Sequence, residues 1–289
     1  MSMIARVVGS AMLLGGKSLR SQETLTELTS APRQDAPVTR AARRRVTVRR
    51  CEDSPLAATA LVPRVRTRGP ILLYLHGGAF VSPIQAAHWS IVERLLSGDV
   101  SAAVVPSYPL LPEGSATTVI PRIVDLYADI VGRGEPVVVA GDSAGATLAL
   151  NLAQRTAAAG LPSPRALLLY SPWLDLGVSN PLMRDIECRD PVLSREGLAC
   201  AGRSWSAPAL PTDPAVSPLH GDLSGLPETH VYQGGRDILA PDAKDFVEAA
   251  RRAGSPAHLH LYPDAFHCFV GARWLPEARH ALRHSVQLL

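Results

Sequence analysis

The stretch Val137–Leu150, VVVAGDSAGATLAL, decides how this chain folds. A run of buried-strand residues meets a helix-forming run through Gly141-x-Ser143-x-Gly145, which sets a serine at the junction of strand and helix. A turn this sharp forces unfavourable backbone angles on the serine and brings strand and helix too close for side chains at the flanking positions, hence the glycines. The serine hydroxyl then stands exposed at a helix N-terminus, where the helix dipole favours developing negative charge. Ala144, Leu148 and Leu152 share one face of that helix, and Gly160 is its expected stop. The plainer reading of the same five residues is a helix cap in an ordinary strand-to-helix turn. The rest of the chain must decide between them.

Short apolar runs recur along the chain: ILLYL (71–75), SAAVVP (101–106), PVVVAG (136–141), ALLLY (166–170), THVYQ (229–233) and HLHLY (258–262). Most are separated by stretches of helical periodicity, such as 120–131 and 241–253. Runs that are continuous rather than alternating predict strands covered on both faces, and their alternation with helices predicts an α/β domain with a mainly parallel sheet. Ligands of such sheets bind beyond the carboxyl ends of the strands. Upstream, RRRVTV (43–48) and AATALVP (57–63) read as a hairpin around Glu52–Pro55. Residues 177–218, rich in Pro, Arg and Ser with one weak helical segment at 194–201, read as an insertion over the sheet top. At the N-terminus Ile4, Val7, Val8, Ala11 and Met12 form an apolar stripe ending near Gly15 and Gly16. A helix that short needs a surface to pack on.

Composition sets limits on function. With 289 residues, 46% of them hydrophobic, the chain can bury one large core, and a net charge of +3 does not mark a nucleic-acid binder. The basic residues are nearly all arginine and crowd between Arg40 and Arg68; RAARRRVTVRR, with valines alternating among arginines, reads as a solvated strand. Cys51, Cys188, Cys200 and Cys268 have no CxxC or zinc-finger spacing and are expected as reduced thiols. Arg6 sits close to the N-terminal apolar stretch, Lys17 follows it and no A-x-A site does, so a cap is favoured over a secretory signal. No run reaches the ~18 apolar residues of a membrane span. A cytoplasmic protein without stable membrane insertion is expected, with a homodimer left open.

A serine hydroxyl attacks at neutral pH only when a base removes its proton and a carboxylate orients that base. Among nine histidines most have ordinary readings: His258 and His260 alternate on a strand, and His280 and His284 share one face of the last helix. His267 differs, because it follows the last predicted strand and so lies at the same sheet edge as Ser143. For the carboxylate, HVYQGGRD (230–237) ends a strand in a glycine turn at Asp237. Asp264, three residues before the histidine, is the competitor. Asp237 is preferred because an acid on a neighbouring strand reaches the far ring nitrogen without contorting the histidine loop. Acyl transfer also needs donors for an oxyanion, and LYLHGGAF (73–80) offers the N–H groups of Gly77 and Gly78, joined by that of Ala144. No metal or organic cofactor is required for this chemistry.

HGGAF (76–80), GDSAG (141–145), SYPLLPE (107–113), YSPWLDL (170–176), DPAVSPLHGDLSGLPETHVYQGGRDIL (213–239) and DAFHCF (264–269) together resemble the hormone-sensitive-lipase family of α/β-hydrolases, from about Arg43 to the C-terminus. The resemblance implies an α/β-hydrolase fold with an eight-stranded sheet, helices on both faces and a helical cap. The cap would comprise residues 1–42 and the insertion at 177–218, on a catalytic domain at 43–289. It further implies a Ser143, Asp237 and His267 triad, with His76 and Asp142 bracing the site. The implied activity is hydrolysis of short- to medium-chain acyl esters of small-molecule substrates. An amidase or aryl-formamidase would use the same residues, and a non-catalytic small-molecule binding protein on this scaffold is the alternative that the presence of His267 opposes. Ala79 and Ala146 stand where glycines are common in the family, and Cys268 replaces the glycine that often follows the histidine. These departures bear on pocket size rather than on the reaction.

Overall fold

Apolar runs without alternation make strands only where both faces are covered, and a computed structural model of the chain shows how that cover is divided. It describes residues 3–15, 17–65 and 67–289. Helices α1 (Met3–Gly15), α2 (Gln22–Ser30) and α3 (Arg40–Arg45) precede an antiparallel hairpin of β1 (Val46–Cys51) and β2 (Ala58–Pro63). Then β3 (Ile71–Leu75), α4 (Ala86–Leu95), β4 (Ala102–Pro106), α5 (Ala116–Val131), β5 (Val137–Asp142), α6 (Ala144–Thr156) and β6 (Ala166–Tyr170) alternate. The inserted helices α7 (Met183–Glu187) and α8 (Arg195–Ser206) follow, and β7 (Glu228–Gly234), α9 (Ala240–Arg252), β8 (Ala257–Tyr262) and α10 (Pro276–Gln287) complete the chain.

The eight strands form one sheet in the order β1-β2-β4-β3-β5-β6-β7-β8, in which β2 alone runs against the others. Consecutive residues of the central strands serve opposite cores. Ile71, Leu73, Leu75, Val137 and Val139 pack with Ile123 of α5 and Leu148 of α6, whereas Leu72, Tyr74, Val138 and Ala140 pack with Val92 of α4 and Leu282 of α10. The expectation of two covered faces fails only at β8, an edge strand whose His258 and Leu261 are exposed.

Two N-terminal expectations need correction. Arg40–Arg45 is not a strand: Thr39 Oγ1 accepts from the Ala42 N–H at 3.0 Å and caps α3, and extended structure begins at Val46. This helix runs across the expected boundary between residues 42 and 43. On α1 the apolar stripe faces mostly outward, with Ile4, Val7, Ala11 and Met12 exposed, only Val8 half-buried against the core, and Ala5 and Gly9 buried. Polar contacts set that face: Arg6 pairs with Asp264 at 2.8 Å, and Arg236 Nη1 donates to the Arg6 carbonyl at 2.9 Å. Gly16, at the expected end of the stripe, lies outside the described residues. The four cysteines are free thiols, and among the described residues no helix is long and apolar enough to cross a membrane.

Where α6 leaves β5, backbone passes backbone without room for a side chain. A Cβ on Gly145 would collide with the carbonyl oxygens of Leu75 and His76, whereas one on Gly160 would meet nothing within 4 Å, although φ there is +66°. Gly160→Ala is therefore expected to cost about 1 kcal/mol through backbone strain alone. Gly145→Ala should cost about 3 kcal/mol or more, because rigid backbone must move. Urea unfolding midpoints of the two variants check the order; equal losses would refute the packing argument.

Candidate active site

Strand register gathers the site. β3 and β5 pair with Leu75 beside Gly141, so the loop after β3 and the elbow after β5 leave the sheet as neighbours. β7 and β8 pair with Gly234 beside Tyr262, which puts Asp237 and His267 in adjacent loops. At the elbow Ser143 has φ 51° and ψ −119°, a conformation L-residues rarely adopt, and its N–H donates to the Tyr170 carbonyl at 2.9 Å. A Cβ on Gly141 would stand 2.6 Å from the Gly145 carbonyl carbon, so both glycines of the motif are sterically required.

The structure brings Ser143, His267 and Asp237 into one hydrogen-bonded line. The Ser143 hydroxyl donates to His267 Nε2 at 3.0 Å, and His267 Nδ1–H donates to Asp237 Oδ2 at 2.8 Å. The Leu239 N–H, at 2.9 Å, occupies the other Asp237 oxygen. Burial disfavours the His267 imidazolium, but Cys268 and the Asp237 carboxylate outweigh it and the net direction is upward. Burial pushes the Cys268 thiol itself up to about 12, so near neutral pH it is uncharged and Asp237 supplies the opposing charge. Cys268 Sγ lies 3.3 Å from His267 Nε2, the same nitrogen that faces Ser143. Asp264 is turned away and pairs with Arg6.

One acid escaped the sequence reading. Asp190, fully buried in the insertion, accepts from the N–H groups of Val192 (2.8 Å) and Leu193 (2.9 Å) and, through its other oxygen, from that of Ile238 (2.8 Å). It thereby ties the insertion to the loop that carries Asp237. Burial first, and then Asp237, push its pKa up to about 6. Its only signal in the sequence is an Asp-Pro pair, a common turn dipeptide.

The loop after β3 corrects one expectation. The N–H of Gly77 donates to Asp142 Oδ1 at 3.0 Å and is not free to receive an oxyanion. The N–H groups of Gly78, Ala79 and Ala144 meet no protein acceptor among the described residues, and Gly78 and Ala79 line the same pocket as Ser143. Ala79 (φ 53°) and Phe80 (φ 60°) both adopt left-handed backbone, the conformation that a glycine at 79 would take without strain. Phe80 is held fully buried, stacked on Trp205 at 4.0 Å and tilted against Trp173 at 5.7 Å. Asp142 also accepts from Tyr74 Oη at 2.6 Å and lies 3.5 Å from His88 Nε2. Burial alone would raise its pKa, but His88, Tyr74 and His76 hold the carboxyl well below the usual range. Buried His76 stacks on Tyr108 at 4.4 Å, and burial together with His88 lowers its pKa to about 4.

Above Ser143 a cavity of about 290 Å³ is lined by Ser18, Leu19 and Leu28 from the N-terminal segment and by Val192, Leu193 and Leu198 from the insertion. Leu25 of α2 is buried in the same apolar cluster as Leu198 of α8. A serine hydroxyl, an imidazole, a carboxylate and unengaged N–H donors thus converge beneath an apolar cover, an arrangement suited to acyl transfer.

A family model for the alpha/beta hydrolase fold matches residues 72–271, the span that holds all of these groups but the N-terminal cover. The chain belongs to the α/β-hydrolase fold family. This hydrolase is 35% identical over 217 residues to an esterase of Acinetobacter venetianus, an alignment covering 73% of this chain and 72% of that one. It is 34% identical to an acetyl-hydrolase of Streptomyces hygroscopicus, with 75% and 74% covered. Among solved structures, an esterase of the bacterial hormone-sensitive lipase family superposes with a TM-score of 0.83 at 23% identity, covering 99% of this chain and 97% of that one. A hormone-sensitive lipase from a metagenome library also gives 0.83, at 21% identity and with 100% and 99% covered. At such identities the structures establish the shared fold.

The charge on His267 has a direct readout. In an NMR titration the His267 imidazole should lose its proton above the ordinary value of about 6.5. Asp237→Asn should move that titration toward acid, and Asp264→Asn should leave it in place. A parent value below 6.5, or a larger shift from Asp264→Asn, would contradict the assignment.

Proposed function

We propose that this hydrolase cleaves carboxylic esters of short to medium acyl chain through a serine acyl-enzyme. The observation that carries the reading is the continuous Asp237–His267–Ser143 hydrogen-bonded line at the floor of an apolar pocket. Ser143 Oγ attacks the carbonyl carbon while His267 Nε2 takes its proton, and Asp237 holds the imidazole and stabilises the imidazolium. The carbonyl oxygen becomes an oxyanion received by the N–H groups of Gly78, Ala79 and Ala144, each such donor being worth about 3 kcal/mol of barrier. Collapse of the intermediate breaks the ester C–O bond, and His267 returns its proton to the departing alcohol. Water then enters, gives a proton to His267 and attacks the acyl carbon; the acid leaves and Ser143 regains its hydrogen. Relatives named esterase and acetyl-hydrolase support an ester as substrate. The leucines over the pocket, Leu19 and Leu28 on one side and Leu198 on the other, suit an acyl chain better than a charged group. They also support a cap role for the N-terminal segment and the insertion.

Ser143→Ala should fold normally, since the elbow accepts a methyl group, and lose about a millionfold in turnover of p-nitrophenyl acetate. Residual turnover within tenfold of the parent would remove Ser143 as nucleophile. Asp237→Asn should lose about 10⁴-fold through the wrong histidine tautomer, and Asp264→Asn should stay close to the parent.

Acyl selectivity tests the cap. Leu28→Trp fills the pocket from the α2 side, so the ratio of kcat/KM for hexanoate to that for acetate should fall by about tenfold, the range expected when a pocket loses room for a few methylenes. An unchanged ratio would separate α2 from the substrate. Anilides assayed alongside distinguish an amidase, which would turn them over at rates comparable to the esters.

A further inference from the structure

At the free edge of the sheet, away from the reacting groups, the fold collects histidines that are scattered in sequence. β7 and β8 pair with His230 beside His258 and Tyr232 beside His260, so all four side chains share one face of the sheet. Helix α10 covers that face and adds His284, whose ring lies 4.5 Å from that of His260. One ring nitrogen from each of His230, His260 and His284 falls within 4.8 Å of one from each of the other two. A tetrahedral ion with metal–nitrogen bonds of about 2.0–2.1 Å needs its ligand nitrogens about 3.3 Å apart, so binding must draw the rings together. His230 Nδ1 already stands 3.0 Å from His260 Nε2.

We propose that His230, His260 and His284 form a binding site for a borderline divalent transition ion of the Zn²⁺ class, which fastens α10 to β7 and β8. Three imidazoles in contact are a donor set that suits zinc, nickel, cobalt or copper and does not suit calcium or magnesium. Surrounding groups complete the arrangement. Glu228 Oε1 lies 3.1 Å from His230 Nε2, so this ring nitrogen carries its hydrogen toward the carboxylate and Nδ1 is left as a lone pair facing His260. A carboxylate behind a histidine in this way orients metal ligands and raises their basicity. Tyr232 Oη, 2.8 Å from His284 Nδ1, restrains the third ring. The other titratable groups nearby are His258, 4.0 Å from Glu228, and His280, which pairs with Tyr262.

The ion would act on stability rather than on the ester bond. Its three ligands come from β7, β8 and α10, and β8 leads directly into the loop that carries His267.

Calorimetric titration of the untagged, chelator-treated full chain with Zn²⁺ tests the site. One ion per chain should bind, with a rise in the thermal unfolding midpoint at saturating ion. His260→Gln and His284→Gln should each weaken binding by at least about 100-fold and abolish the thermal shift. Both should keep the parent far-UV circular dichroism and ester turnover, because neither residue touches the reacting groups. His258→Gln should bind like the parent. The proposal fails if the parent shows no saturable binding. It fails equally if binding survives both ligand substitutions, which would place the ion on the thiols or at the active site. If binding is lost with His258→Gln instead, the ion belongs to Glu228, His230 and His258.

Discussion

A single buried carboxylate, that of Asp142, ties together the loops from which the site is made. It ends β5 and so belongs to the elbow, yet it accepts from Tyr74 on β3 and from the Gly77 N–H in the following loop. It also faces His88 of α4 and the Cys268 thiol beside His267, at 3.5 Å each. In a low-dielectric interior an ionised group persists only when surrounded by donors, and each donor here comes from a different part of the rim. Neutralising it would leave buried partners unsatisfied at several points at once. Because Asp142 engages Gly77, the free N–H groups begin one residue later, at Gly78. The loop must then turn sharply through φ values of 116°, 53° and 60° at Gly78, Ala79 and Phe80.

Left-handed backbone costs about 1–2 kcal/mol at each non-glycine residue, so something outside the loop must hold it. Phe80, seated against Trp173 and Trp205, does so. Trp205 belongs to α8, and the same inserted segment reaches the acid loop through Asp190 and Ile238. The cover over the pocket is therefore a structural partner of the loops beneath it as well as a wall. Changes in the insertion should be felt by the loop after β3 and by the Asp237 loop together.

The positions of Ser143, Asp237 and His267 were legible because each follows an apolar run in a turn, and parallel strands deliver such turns to one edge. The hairpin, the six later strands and α8 could be read for the same local reasons. What could not be read depends on contacts between distant residues. Which of the loop N–H groups is free depends on Asp142 reaching across from β5 to Gly77. The outward face of α1 depends on Arg6 meeting Asp264, far along the chain. Helix α4, whose segment mixes His88, Trp89 and Glu93, carries no clean stripe, because one side of it serves the core while His88 serves Asp142. The histidines of β7, β8 and α10 looked ordinary one element at a time, and only the strand register and the docking of α10 make them a group.

The proposed mechanism makes Ser143, and no other nucleophile in the pocket, the site of the covalent intermediate. The nearest rival is Cys268, whose thiol also faces His267 Nε2, but whose pKa of about 12 keeps it protonated. Rapid mixing with p-nitrophenyl butyrate, acid quenching within the first turnover and peptide mass spectrometry would locate the acyl group directly. A butyryl ester is expected on the peptide containing Ser143, formed with about one equivalent of released nitrophenol per chain if deacylation is the slower step. A butyryl thioester on Cys268, or turnover that persists in Ser143→Ala with no adduct at either residue, would contradict the mechanism.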